Sequence, residues 1–380
     1  MMRHALRWVG AVIGLAVLPV LPAYADAILT VGPGGTANGY DFATISSAVS
    51  YADSNGATYY TVEIAPATYV NDFPVVTAAM TLESSPSVTG PVILDATASP
   101  TNDKGIITTS ASAVISGLTL EGAQISGALG SNAAGIRAQA GTGSLTIQNS
   151  TFANNQDGIL VDGNSGETVT ITGSSFISNG VGSGSYAGYE HAVYVGAVNS
   201  LAVSGSLFCG TLAGHDIKSR AASTTVTNNL LYDGAADPAL NCPAGSTSYA
   251  VDLPNAGNVK LSGNQIIQGS STGNETMVSY GEEGEVAGYV NRFLSSGDVF
   301  TNTLPGTSIG IYNHAANVAA IVNCDTFNNV SAPLVGSGSV SCTSAVSEPG
   351  SLSLLAVGLG GLAAAAGLRR RPRRRVARSA

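Results

Sequence analysis

Basic residues are scarce in this chain: 15 Lys and Arg stand against 24 Asp and Glu in 380 residues. Arg3 and Arg7 lie at one end and seven arginines at the other, so the body from Asp26 to Val346 keeps six basic residues against 23 acidic ones, a formal net charge of −17. Such a surface repels a phosphate backbone, and nucleic acid is not an expected partner. Cysteine is limited to four residues, with no CxxC or Cys/His spacing, which leaves a zinc site without support. Long apolar runs are confined to the ends. Met1–Ala25 carries Arg3, His4 and Arg7, an apolar run from Trp8 to Leu21 and then Ala23-Tyr24-Ala25. This is the form of a secretory signal peptide cleaved before Asp26; the alternative is an uncleaved anchor.

What is present in quantity is repetition. SLTIQNSTF, ending at Phe152, returns as TVTITGSSF ending at Phe176 and SLAVSGSLF ending at Phe208, then degrades through Tyr232, Ile267 and Phe300 to Phe327, with a forerunner ending at Leu120. The spacings are 32, 24, 32, 24, 35, 33 and 27 residues, a fixed unit with insertions. Each copy alternates apolar residues with Ser or Thr and is followed by Asn or Gly, which reads as a strand and a sharp turn. A second short strand precedes each copy: GIRA, GILVD, HAVYV, HDIKSR, YAVDL and GIYNH. A unit of about 24 residues has no room for a crossover helix, so successive strands must stack as rungs of a solenoid. The expected fold is all-β, a right-handed parallel β-helix over 26–346 with rungs about 4.8 Å apart. An N-terminal helix is expected over Asp41–Ala52, with Asp41 as N-cap and Phe42, Ile45, Ala48 and Val49 as the stripe that covers the first rung.

In an oxidising compartment four cysteines suggest two disulfides. Cys209–Cys242 and Cys324–Cys342 join the nearer candidates in neighbouring coils, among three possible connectivities.

Chemistry concentrates in the central coils. Alignment on the closing aromatics puts Gly135, His191 and His215 at one position. If Val193, Val195, Ile217, Val251 and Leu253 point inward, then Tyr194, Lys218 and Asp252 form an outward column. Asp216 and Arg220 share that face, and His191, His215 and Asn255 border it. Lys218 and Arg220 are two of the body's six basic residues. In a lyase reading, Lys218 or His215 is the base beside a uronate carboxylate, and Arg220 pairs that carboxylate. Tyr194 then protonates the leaving oxygen, while Asp252 tunes Lys218 or helps to hold a calcium ion. His191, Asp216 and Asn255 are the expected substrate-binding residues, and no resident metal site is assigned. The column is equally explained as a hydrogen-bonded ladder that pins register, or as a face that binds glycan without reacting.

The repeats and the opening pair DFATISSAV and VEIAPATYV resemble the pectate-lyase-like β-helix superfamily, over roughly Ala27–Cys342. That resemblance implies the fold and a long face suited to polysaccharide. Pectinesterase chemistry does not follow, because the paired aspartates and arginine-tryptophan signature of those enzymes are missing. Segment 347–380 joins Ser347-Glu348-Pro349, an apolar stretch from Gly350 to Leu368 and the arginine block that begins at Arg369. This tail resembles the PEP-CTERM sorting signal, with Ser-Glu-Pro where that signal usually has Pro-Glu-Pro. The resemblance implies export, an exosortase partner, transient inner-membrane anchoring and a place among exopolysaccharide and biofilm proteins. A plain C-terminal anchor is the alternative. Two functions are therefore expected: an exported protein that binds or processes envelope polysaccharide, or a non-catalytic structural or adhesive matrix rod.

Overall fold

The computed structural model describes residues 27–342, apart from 56–58, 103, 127–129, 131 and 305. The segments expected to be a signal peptide and a sorting tail lie outside the described residues. Three all-parallel sheets make up the body: one of twelve strands and two of ten. A coil runs from the first sheet (for example Ser144–Gln148) to the second (Thr151–Ala153) and the third (Asp157–Val161), and then re-enters the first at Thr168–Thr172. Parallel strands joined in this sense wind right-handed, and the chain is a right-handed parallel β-helix.

The repeated phrase is the corner between the first and second sheets. Its turn residue has a left-handed backbone in every coil, with φ of 49° at Asn149, 58° at Gly173 and Gly205, 54° at Asn228 and 69° at Gly263 and Gly297. Gly meets no steric penalty there and Asn meets little. The corner leaves a backbone N–H pointing along the rod axis, buried from water. The next coil's polar residue accepts it: Ser150 N–H donates to Ser174 Oγ, Ser174 N–H to Ser206 Oγ, and Ser206 N–H to Asn229 Oδ1. The chain continues through Asn264 and Asp298 to Asp325. Asn155 and Asn179 do the same at the corner into the third sheet. A buried N–H is almost always paired, and here each coil supplies the partner for the one before it.

Inside the coil the phenylalanines stack. Phe152 and Phe176 have ring centroids 5.0 Å apart, and Phe176 and Phe208 4.6 Å. The column then passes through Leu231 and Ile266 to Phe300 and Phe327. Tyr232 and Ile267, expected to close their repeats, sit one residue past the column. Tyr232 instead bonds Asp237 through its hydroxyl at 2.6 Å. The cause is local: the coils ending in LLY and QII carry an apolar residue on both sides of the strand, so the sequence pattern slips by one.

The capping helix forms over Ile45–Ser54 and buries Ile45, Ala48, Val49 and Ala52 against the first coil. Its N-cap is Thr44, whose Oγ1 accepts Ser47 N–H at 3.2 Å, and not Asp41. Asp41 is drawn to Thr30, accepting from its N–H and its hydroxyl, both at 2.8 Å. Asp72 completes the cap from another coil by accepting the N–H groups of Ile45 and Ser46. Phe42 lies outside the helix and bridges to Val31. At the other end Gly338–Ser341 is an exposed final strand. Cys209 is joined to Cys242 and Cys324 to Cys342. Among the described residues no helix is long and apolar enough to cross a membrane.

Asn264→Ala removes the acceptor for Asn229 N–H and the donor to Val226 C=O. A denaturant titration should show a loss of about 2–3 kcal/mol, one to two unmet buried groups, against less than about 0.5 kcal/mol for the exposed Lys260→Ala on the strand just before that corner.

Candidate functional site

The candidate site lies on the outer face of the third sheet, where the pleat is interrupted. At the entry to each central strand two successive N–H groups donate to the same neighbouring coil. Ala192 and Val193 bond the carbonyls of His215 and Asp216, and Asp216 and Ile217 bond those of Tyr249 and Ala250. A regular strand alternates, so this doubling turns two consecutive side chains inward. The residues that flank them, His191 and Tyr194 in one coil or His215 and Lys218 in the next, both turn to the outer face. That is why His191 and Tyr194, three residues apart, have rings nearly parallel at 5.7 Å.

Two adjacent columns result. In the first, His191 stacks on His215 at 4.7 Å, and His215 meets the Tyr249 ring at 5.0 Å with a tilt of 35°. In the second, Tyr194, Lys218 and Asp252 pair strand to strand. Asp216 does not share this face. It is one of the doubled inward residues, fully buried, with Thr211 Oγ1 donating to its carboxyl at 2.6 Å, and burial holds its pKa well above the ordinary carboxylate value. Gly135 also changes place: the His191 and His215 position is occupied by Asp157 and Ala134 in the preceding coils, and Gly135 falls one residue later.

The charged groups are already engaged with one another. Lys218 Nζ is 2.8 Å from Asp252 Oδ2, and His215 Nε2 is 3.4 Å from the same oxygen. Arg220 grips Glu283 with two parallel bonds, Nη1 to Oε2 at 2.6 Å and Nη2 to Oε1 at 2.8 Å. It also donates from Nη1 to Asn255 Oδ1 at 2.7 Å and from Nε to the Tyr194 hydroxyl at 3.1 Å. Burial raises the Asp252 pKa while Lys218 opposes the rise. Burial, reinforced by Lys218, pushes His215 down to about 3, so its ring is neutral. His191 is held well below its ordinary value, by burial first and then by His215, Lys218 and Arg220. Its Nδ1 accepts the backbone N–H of His215 at 3.0 Å, so its own proton sits on Nε2.

Over these columns opens a cleft of about 810 Å³. Arg137, Tyr194, Lys218 and Arg220 line it, with Tyr186 and Tyr189 on a bounding loop and Glu283 against Arg220. Tyr189 is 76% exposed. Asp252 and His215 are buried and do not line the cleft, and Asn255 reaches it only through Arg220. The expected residues Tyr194, Lys218, Asp252, His215, His191, Arg220 and Asn255 are thus brought together, while Asp216 is not. Among the described residues no three His, Cys, Asp or Glu side chains converge as a metal-ligand set, and the Lys218 ammonium, 2.8 Å from Asp252 Oδ2, repels a calcium ion from that oxygen.

Sequence reasoning missed Arg137, Asp157, Tyr189 and Glu283. Arg137 is in strand register with Leu160, and Leu160 with Tyr194, so rarity of basic residues was the usable signal. Asp157 stands beside His191 in the preceding coil, its Oδ1 accepting His191 N–H at 2.8 Å, with its pKa well above the ordinary value through burial. Tyr189 and Glu283 come from loops of unrelated length and carry no repeat signal.

His215 provides a pH test, with His191, Tyr249, Asp252 and Lys218 as its surroundings. A base whose folded pKa is depressed contributes stability that is intact above its ordinary value of 6.5 and lost as pH falls toward about 3. Between pH 6 and 5 the protein should therefore lose stability faster than the His215→Gln variant, by about 1.4 kcal/mol per pH unit. Paired denaturant titrations across that range check it; parallel curves would contradict the buried neutral assignment.

No protein-family model matches the chain, and neither does any curated protein. Among solved structures, the crystal structure of Escherichia coli ybhc is similar at 14% identity with a TM-score of 0.34, covering 86% of this chain and 76% of that one.

Proposed function

We propose that this is an exported β-helix protein that holds a segment of cell-envelope or extracellular polysaccharide in the cleft over its central coils. The observation that carries the reading is the lining. Lys104, Arg137, Lys218 and Arg220, four of the six basic residues of a −17 body, converge on one cleft together with Tyr186, Tyr189 and Tyr194. Aromatic faces stack on the apolar faces of sugar rings while fixed charged donors meet hydroxyl and carboxylate oxygens. A rod that served only as a spacer would have no use for this concentration.

Binding is favoured over lyase chemistry because the groups a β-elimination needs are occupied. Lys218 and His215, the two candidate bases, both contact the same Asp252 carboxylate oxygen, at 2.8 and 3.4 Å, so neither stands as an open base facing the cleft. In this reading Met1–Ala25 directs export, and the tail from Ser347 serves exosortase sorting at the inner membrane. Both assignments rest on sequence pattern. The partner is a glycan, and nucleic acid is disfavoured by the charge of the body.

Titration calorimetry against a panel of acidic and neutral bacterial glycans tests the proposal. At least one acidic glycan should bind, Tyr189→Ala should weaken it about tenfold, the loss of one stacking contact, and absorbance in the unsaturated-uronate band should stay flat. Absence of binding across the panel, with Tyr189→Ala indistinguishable from the parent, would leave the structural rod.

A further inference from the structure

The Arg220–Glu283 pair has the geometry of a ligand contact made by the protein with itself. Arg220 is well seated: Asn255 and Tyr194 fix its plane, and the Tyr289 hydroxyl bonds its backbone carbonyl at 3.2 Å. Glu283 is the more accessible partner, with 47% of its side chain exposed against 24% for Arg220. Its backbone is tied down, since Glu283 N–H donates to Pro254 C=O at 2.9 Å and Gly284 N–H to Gly281 C=O at 3.1 Å. The carboxylate can therefore leave by rotating its own side chain, with no movement of the loop. It also lies 3.9 Å from Lys218 Nζ, so one carboxylate spans both cations at the end of the cleft. Arg220 is the larger cause of the lowered Glu283 pKa, which keeps that group ionised.

The geometry points to Arg220, flanked by Lys218, as the seat for the carboxylate of a uronic acid residue, with Glu283 as a built-in occupant that the ligand must displace. This rests on the glycan-binding reading and names the sugar class. A planar guanidinium presents two parallel N–H groups that match any carboxylate, and the site already shows what such a guest looks like. Lys218 is neutralised by Asp252 beneath it. Removal of Glu283 from the pair thus leaves one unbalanced guanidinium, enough for one uronate and insufficient for a dense polyanion. The tethered competitor acts as a filter, because its local concentration is high and a neutral sugar has nothing with which to replace it.

The test is calorimetric titration of the purified body with an oligouronate and with its fully methyl-esterified form, on the parent, Glu283→Gln and Glu282→Gln. Glu282 loses the same charge one residue away, but it bonds the Tyr249 hydroxyl and does not line the cleft. The expected result is a gain of about three- to tenfold in oligouronate affinity for Glu283→Gln, the size of one released charge-assisted contact, no gain for the methyl ester and none for Glu282→Gln. Adding Arg220→Lys to Glu283→Gln should abolish the gain, since an ammonium lacks the fork. Unchanged or weakened binding by Glu283→Gln, or an equal gain from Glu282→Gln, would overturn the inference while leaving glycan binding intact. If the parent and every variant fail to bind any glycan, the reading of the cleft fails and this seat with it. Should Glu283→Gln not fold, Glu283→Ala and Glu283→Asp carry the same comparison, with Asp restoring parent-like affinity.

Discussion

Everything in this molecule depends on how a buried corner finds a partner for its N–H. A strand that ends in a left-handed residue must leave a backbone donor facing along the rod, away from both water and its own coil. One acceptor at one height satisfies it, the side chain of Ser174, Ser206, Asn229, Asn264, Asp298 or Asp325 in the following coil. An unmet donor costs on the order of 1–3 kcal/mol, and a shift of the next coil by one residue would leave a whole series unmet. From Ser150 to Asp325 the ladder therefore holds register through the insertions, because the loops of those coils leave from other corners.

Register in turn makes the site. With the coils locked, the doubled inward residues at the entry to the third sheet occur at the same height in successive coils, and the histidine column is brought against the Tyr194–Lys218–Asp252 column. The two columns exchange charge rather than expose it. His215 is neutral because it is buried near Lys218, Lys218 is held by Asp252, and Arg220 is held by Glu283. This balance permits four of six basic residues to crowd one cleft without stranding a bare charge under the loops.

Much of this was legible in the chain. The repeat period, the strand pairs, the stripe Ile45, Ala48 and Val49, and the outward placement of Tyr194, Lys218 and Asp252 follow from alternation and need nothing beyond it. The misreadings share a cause: alternation and capping are rules of a short segment taken alone, and each position was decided by a contact outside that segment. Asp41 suits a helix cap, but Thr30 claims it, and Asp72 from a later coil takes part of its place. Asp216 has the spacing of an outward residue, but the doubled hydrogen bonds to the next coil rotate it into the core. Tyr232 looked like the closing ring of its repeat, but Leu231 fits the phenylalanine column and Asp237 holds the tyrosine hydroxyl.

The sequence by itself determined the solenoid, its capping helix and the coils in which chemistry gathers, because these depend on periodicity and on the scarcity of particular residue types. Only the tertiary structure decided that Asp157, Arg137, Tyr189 and Glu283 join the site, and that Arg220 is seated on Glu283 rather than open. The physical reason is separation along the chain. Arg220 and Glu283 are 63 residues apart, and their contact exists because the coils between them stack at a fixed rise, a distance set by backbone hydrogen bonds that leaves no mark on either residue's neighbours.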